Sequence, residues 1–258
     1  MARLLTLLLI AVCAMPTQAP AQAYPAKAVR IIVPFPPGQA ADIFARMVGD
    51  RLSQVWGQPV FVENRAGGGG VPGIMAGKQA APDGYTLLVG TSGTLGVNPG
   101  IYAKLPYDPI TDFLPASNIF IVPLVVVAHP GFKPANIQEL VAAARAQPGT
   151  INYASAGPGT AQRAPQLPEV PTVAEAGYAG FEGAGWSGFV LPAGTPRAVV
   201  DKVSADTQAV LREPQMRDRI VERGGIPDPR TPQEYGEFIK AEIAKWSEVA
   251  RVARVRLD

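Results

Sequence analysis

Three short loops in this sequence combine small residues, prolines and hydroxyls in a way suited to holding a small anion. The first is Phe35-Pro36-Pro37-Gly38 running on to Asp42, directly after the β-branched run Val29–Val33. Backbone N–H groups at a helix start can hold a carboxylate without any charged side chain, and an acid near that start favours the dipole. The second is Gly90-Thr91-Ser92-Gly93-Thr94, and the third Ser155-Ala156-Gly157-Pro158-Gly159-Thr160. Both add hydroxyls to residues small enough for close backbone approach. Each loop follows a strand-like run, so together they suit a cleft; they read equally well as plain structural turns.

Residues for covalent chemistry are sparse. The one cysteine, Cys13, lies in a leader segment, so the exported chain has no disulfide, thiolate nucleophile or Cys-ligated metal. The one histidine, His129, has no G-x-S-x-G serine to activate and reads as a loop residue. Asp108 and Asp112 read as a capped turn rather than an acid pair or metal site. Gly68-x-Gly70-x-x-Gly73 has the spacing of a dinucleotide fingerprint, but Pro72 interrupts it and no acid follows about 20 residues on. Trp186 and Trp246 read as core, and Arg217, Arg219 and Arg223 as a solvated helix face. No metal and no cofactor are expected. A periplasmic hydrolase is a weak alternative for want of a triad or metal cluster.

The chain has 258 residues, 23 basic and 21 acidic, for a formal charge of +2. That balance gives no electrostatic reason for nucleic acid as a partner, and 47% hydrophobic residues argue against disorder. Arg3, the apolar run of nine from Leu4 to Val12, and Ala21-Gln22-Ala23 make a secretory signal peptide with cleavage after Ala23. The run falls short of the roughly 20 residues that span a bilayer. Export without disulfides fits a bacterial periplasm.

The elements that must position these loops alternate. Val29–Val33, Val60–Glu63 and Tyr85–Val89 read as strands. Ala41–Trp56 and Ile74–Ala80 read as the helices between them. This is the pattern of βαβ units and a largely parallel sheet, with ligands at the carboxyl ends of strands. The apolar run Asn118–Ala128, broken by Pro123, reads as a crossing to a second unit. Helix 137–147 and strand 151–154 follow, then a Pro/Gly-rich stretch, a strand over 186–191, and helices over 198–211 and 233–254. The last carries an apolar stripe of Tyr235, Phe238, Ile239, Ile243, Trp246 and Val249.

The segment Tyr24-Pro25 through Val-Arg-Ile-Ile-Val-Pro-Phe-Pro-Pro-Gly38, with Asp42 and Ala45-Arg46, resembles the start of the Bug-type receptors of tripartite tricarboxylate transporters. Further matches are Val62-Glu63-Asn64-Arg65, Pro82-Asp83-Gly84-Tyr85-Thr86-Leu87-Leu88, Asn152-Tyr153-Ala154-Ser155-Ala156-Gly157, Pro168 to Gly177, and the Trp246-containing helix. The resemblance runs in order over nearly all of 24–258. It implies an α/β, type II periplasmic-binding-protein-like fold, with two α/β domains around a cleft and no catalysis. The ligand it implies is a small carboxylate or related amide, handed by a monomeric receptor to the transporter's membrane components. Its site residues would be Phe35, Pro36, Pro37, Gly38 and Asp42, beside Thr91, Ser92 and Thr94. Ser155, Ala156, Gly157, Gly159 and Thr160 would face them from the second domain.

Two departures from the family pattern stand out. Gln39 replaces a second glycine, which is expected to narrow the pocket or alter backbone approach. After Thr160 the chain skips a block on the order of two βαβ units, each of roughly 30 residues. The expected division is therefore a signal peptide over 1–23, a first domain over 24–118, a truncated second domain with crossing strands over 119–190, and C-terminal helices over 191–258 packed on the first domain. A remnant that small buries little surface, so its helix is expected to show an uncovered face. A repurposed paralogue that no longer binds solute is the alternative.

Overall fold

The computed structural model describes residues 24–123, 125–151, 169–178 and 183–257. The first three strands are β1 (Val29–Val33), β2 (Val60–Asn64) and β3 (Thr86–Thr91), with α1 (Ala40–Trp56) and α2 (Val71–Lys78) between them. β1 forms because its apolar, mostly β-branched residues find partners on both faces of the sheet. Ile31 and Val33 pack with Phe44, Val48 and Leu52 of α1, while Ile32 packs with Ile74 of α2. Arg30 is the exception in the strand. Its guanidinium reaches Glu63 on β2 at 3.0 Å and Thr86 on β3 at 3.2 Å, so the charge is satisfied along the sheet.

β1 pairs in parallel with β2, from Val29↔Val60 to Val33↔Asn64, and with β3 at Arg30↔Thr86. The rest of the six-stranded sheet, in the order β2-β1-β3-β5-β4-β6, is antiparallel. The largely parallel sheet expected from sequence therefore holds for three strands only. β4 (Phe113–Val122), β5 (Gly185–Pro192) and β6 (Ile226–Pro227) make the other half. β4 starts five residues before the apolar run suggested, passes through two register shifts around Ser117, and ends before Pro123. Val125, Val126 and Val127 of that run lie beyond the strand and are exposed.

Register fixes where the chain leaves the sheet. Thr91, the last residue of β3, pairs with Ser187, and Val122, the last of β4, pairs with Gly185. Segment 123–184 therefore departs and returns at the sheet edge that carries the loops after β1 and β3. Within it, α4 (Ile137–Ala146), which follows the single-turn α3 (Asn98–Ile101), has no buried residue. Asn136 caps α4 by accepting from the Glu139 amide at 2.9 Å.

The C-terminal helices cover both faces. Val200, Val203, Val210 and Leu211 of α5 (Arg197–Arg212) and Ile220 of α6 (Pro214–Glu222) join the α1 layer. α7 (Pro232–Ala253) joins the opposite layer through Tyr235 and Ile239, flanked by Phe238 and Ile243. A capping box between Thr231 and Glu234, with Pro232 next to the cap, fixes its start. Val249, the last residue of the expected stripe, is exposed. No helix among the described residues is long and apolar enough to cross a membrane.

Candidate functional site

The loop after β1 is organised by Asp42, in the first turn of α1 and only 3% exposed. Its Oδ2 accepts the Gly38 amide at 2.9 Å. Its Oδ1 accepts Arg46 Nε at 3.0 Å and Asn64 Nδ2 at 2.8 Å. Asn64 also donates to the Phe35 carbonyl at 3.0 Å and accepts from Arg46 at 2.8 Å, so the end of β2 clamps both sides of the loop. Burial works against the charge on Asp42, but Arg46, the Gly38 amide and Asn64 outweigh it and hold the carboxyl below its usual range. Asp42 is thus an anion with its acceptors committed inside the loop. Gly38 has φ +88°, a conformation that strains any residue with a Cβ.

This geometry moves the available donors. Pro36 and Pro37 have no N–H, and the Gly38 amide is committed to Asp42. Besides that of Phe35 at the start of the loop, the amides with no acceptor among the described residues are those of Gln39, Ala40 and Ala41. They are the orphan donors of the α1 N-terminus, where the helix dipole favours negative charge. The signal for them in the sequence is the helix boundary: α1 begins at Ala40, immediately after Gln39.

The loop after β3 turns at once into a π-helical segment, Ser92–Val97. Thr91 and Thr94 form a reciprocal cap. The Thr91 amide donates to Thr94 Oγ1 at 3.0 Å, and the Thr94 amide to Thr91 Oγ1 at 3.2 Å. Tyr107 donates its hydroxyl to the Thr94 carbonyl at 2.6 Å and receives Asn98 Nδ2 at 3.0 Å. Burial pushes the Tyr107 phenol up to about 12 despite the Asn98 bond, so it remains a donor at neutral pH. Both threonine hydroxyls are therefore spent on structure. Ser92, buried beside them, has a hydroxyl with no hydrogen bond among the described residues.

Gly70 joins the two loops. It has φ +84°, and a Cβ there would lie 2.6 Å from Thr94 Cγ2 and 3.5 Å from Phe35 Cζ. The Gly68–Gly73 stretch is thus a tight joint between loops, starting α2. Ser155, Ala156, Gly157, Gly159 and Thr160 lie outside the described residues, as do the leader and its cleavage point.

The remaining candidates have structural partners. His129 Nδ1 accepts the Gly131 amide at 3.0 Å in an exposed turn. Asp108 accepts the Ile110 and Thr111 amides, and Asp112 accepts the Asp108 amide at 2.7 Å and pairs with Lys78 at 2.8 Å, a capped turn. An open groove of about 660 Å³ runs beside Lys78, Tyr102, Pro106 and Asp112, and contains none of the candidate loop residues. Among the described residues no cluster of His, Cys, Asp and Glu could hold a metal. Within the described part, then, the two loops offer unspent amides and a hydroxyl, with no nucleophile–base pair.

The sequence matches the family described as "Tripartite tricarboxylate transporter family receptor" over residues 44–165 and again over 160–254. It is 41% identical over 157 residues to Protein BugT of Bordetella pertussis, covering 60% of this chain and 48% of BugT, so the match spans about half of that relative. The structure of the periplasmic binding protein BugD superposes with a TM-score of 0.79 at 28% identity, over 90% of this chain and 99% of that one. An R. palustris protein solved with adipate superposes with a TM-score of 0.82 at 26% identity, over 90% and 99%. The α/β architecture is that of these periplasmic binding proteins.

Proposed function

The chain belongs to the tripartite tricarboxylate transporter receptor family, and from that premise we propose that it is a periplasmic solute receptor capturing a small carboxylate or related amide. The observation that carries this reading is the pair of unspent donor sets on adjoining loops: the Gln39, Ala40 and Ala41 amides at the α1 N-terminus, and the hydroxyl of Ser92. Backbone donors at a helix start bind a carboxylate oxygen well, and no side-chain cation is required. In this reading Phe35, Pro36, Pro37 and Gly38 shape the first wall, and Asp42 orients it. Thr91 and Thr94 hold Ser92 in the second wall. Ser155, Ala156, Gly157, Gly159 and Thr160 close from the segment between β4 and β5. Adipate in the R. palustris relative supports a dicarboxylate as the first ligand to try. The receptor works as an exported monomer that delivers its ligand to membrane components and does no catalysis.

The division into a first domain over 24–118 with C-terminal helices, and a shortened second domain within 119–190, belongs to the same proposal. Two observations support a block missing after Thr160. The two family matches meet at 160–165, and α4 keeps no residue buried. The second reading, a paralogue that no longer binds solute, draws on that same helix, whose apolar face is only half-buried.

A thermal melt of the exported chain with a panel of mono- and dicarboxylates, adipate among them, separates the two. A ligand of the folded state at 100 times its dissociation constant stabilises by about 2.7 kcal/mol. A cooperative melt shifted upward by a panel member is the expected result. A cooperative melt that no member shifts favours the second reading.

A further inference from the structure

Two of the chain's three tryptophans end on one buried carboxylate. Glu242 of α7 is 5% exposed. Its Oε2 accepts Trp186 Nε1 at 2.9 Å and Trp246 Nε1 at 3.0 Å, and Lys245 pairs with its Oε1. Trp186 comes from β5, next to Ser187 opposite Thr91; Trp246 comes from the next turn of α7. All three side chains converge on Gly96, inside the π-helical segment that begins at Ser92. A Cβ at Gly96 would lie 3.5 Å from Glu242 Cβ and from Trp246 Cδ1, and 3.6 Å from Trp186 Cζ2.

Packing alone does not require this carboxylate, since an apolar side chain of similar size would fill the space. A buried charge is costly unless it is paired and hydrogen-bonded, and what it supplies is direction. An indole N–H is a donor only, so each ring is turned until its N–H meets the shared oxygen. The edges of both rings against Gly96 are then fixed. In the same segment, Tyr107 holds the Thr94 carbonyl. The turn that Ser92 begins is thus held at two points, Thr94 and Gly96.

We propose that Glu242 is a positioning residue for the second ligand loop: it orients Trp186 and Trp246 against Gly96 and so holds the Ser92 hydroxyl where a carboxylate meets it. This rests on the reading of Ser92 as a ligand-binding residue. It also makes the two indoles the chain's optical reporters of occupancy, because a ligand on Ser92 loads the turn they press on.

The test compares full-length exported E242L and E242Q with the parent chain. Amide exchange over 92–97 is measured without ligand, and adipate affinity by titration of tryptophan emission. E242L is expected to speed exchange over 92–97 by about tenfold or more while β1 and α1 keep their rates. It is expected to weaken adipate by about tenfold. E242Q is expected to restore both, because one amide oxygen still accepts from both indoles. A folded E242L with unchanged exchange over 92–97 overturns the proposal, and so does an E242Q as defective as E242L, which would assign the effect to the Lys245 pair. If the parent chain itself fails to bind adipate or any other panel member, the ligand reading falls, and the exchange rates still decide the positioning role. If E242L does not fold, W246F removes one of the two indole N–H donors to Glu242 and is judged by the same exchange criterion.

Discussion

The Asn64 side-chain amide donates to Asp42 Oδ1 at 2.8 Å, and this one bond ties the last residue of β2 to the first turn of α1. Asn64 pairs with Val33 at the end of β1, so the bond closes a ring from β1 through the edge strand β2 to the helix that begins after the loop. The loop between Val33 and Ala40 is therefore held at both ends. A site built from backbone amides depends on such support, because its donors cannot adjust by rotating a side chain.

Asp42→Ala removes the acceptor of three donors in a buried setting. It is expected to cost about 2 kcal/mol of stability at pH 7, since hydrogen bonds to a charged group are each worth about 1.5–3 kcal/mol and partly overlap here. The carboxyl's folded pKa lies below its unfolded value of about 3.9, so this contribution is present above roughly pH 4 and disappears as the pH falls through the lower folded pKa. Urea melts of parent and variant at pH 7 and pH 3 should show a clear gap at the first and a narrowed one at the second. A gap of equal size at both would assign the effect to packing.

Thr91→Ala and Ser92→Ala, one residue apart, should separate stability from binding. Thr91 accepts the Thr94 amide in a cap, so its loss should lower stability by about 1 kcal/mol. The Ser92 hydroxyl has no partner among the described residues, so Ser92→Ala should leave the melt of the free protein unchanged. It should weaken a bound carboxylate by about tenfold, the equivalent of one hydrogen bond of about 1.4 kcal/mol. Calorimetric titration and a melt on each variant would read both effects. A destabilised Ser92→Ala would place that hydroxyl in the structural network.

Tyr235→Phe is expected to leave stability unchanged or raise it by up to about 1 kcal/mol. The Tyr235 hydroxyl is fully buried and has no hydrogen-bond partner among the described residues, while its ring meets Trp186 edge to face at 5.9 Å. Removing the oxygen keeps the ring contact and relieves an unsatisfied group. A loss of more than 1 kcal/mol in a denaturant melt would reveal a partner for the hydroxyl.

Amides of α4 are expected to exchange about a hundredfold faster than those of β1 and β3. A ten-residue helix is marginal in water without a well-packed face, and the apolar face of α4 is only half-buried, with no residue fully buried. β1 and β3 are inner strands of the sheet with both faces covered. Exchange read by mass spectrometry on ligand-free protein would give the comparison. Equal protection in the two regions would mean that α4 is covered in solution.

The half of the fold built from local signals was legible in the sequence. Val29–Val33 and Tyr85–Val89 are apolar runs bounded by Pro or Gly, and α1 has its period and its Asp42. The antiparallel half was not legible as such. β4 begins in Phe113-Leu114-Pro115-Ala116-Ser117-Asn118, whose polar residues are accommodated by register shifts, and β6 is only two residues long. The direction of β5 depends on where the chain re-enters after a long excursion, which no short window records. Both described candidate loops were visible as small polar turns after strands. Which atoms remain free was not visible, because the roles of Gly38, Thr91 and Thr94 depend on contacts completed by folding, as do the long-range partners Asn64 and Glu242.

The pairing of Val122 with Gly185 has a consequence for how this chain can vary over evolutionary time. It fastens the two ends of everything from 123 to 184 at one point on a finished sheet. Whatever is added or removed beyond that fastening leaves the six strands and their two helical layers in register. The entropic penalty for a longer excursion rises only with the logarithm of its length, about 0.6 kcal/mol for each doubling. The β4–β5 ladder thus acts as a socket. The sheet and helical layers that carry Asp42 and Ser92 do not depend on the length of what is plugged into it.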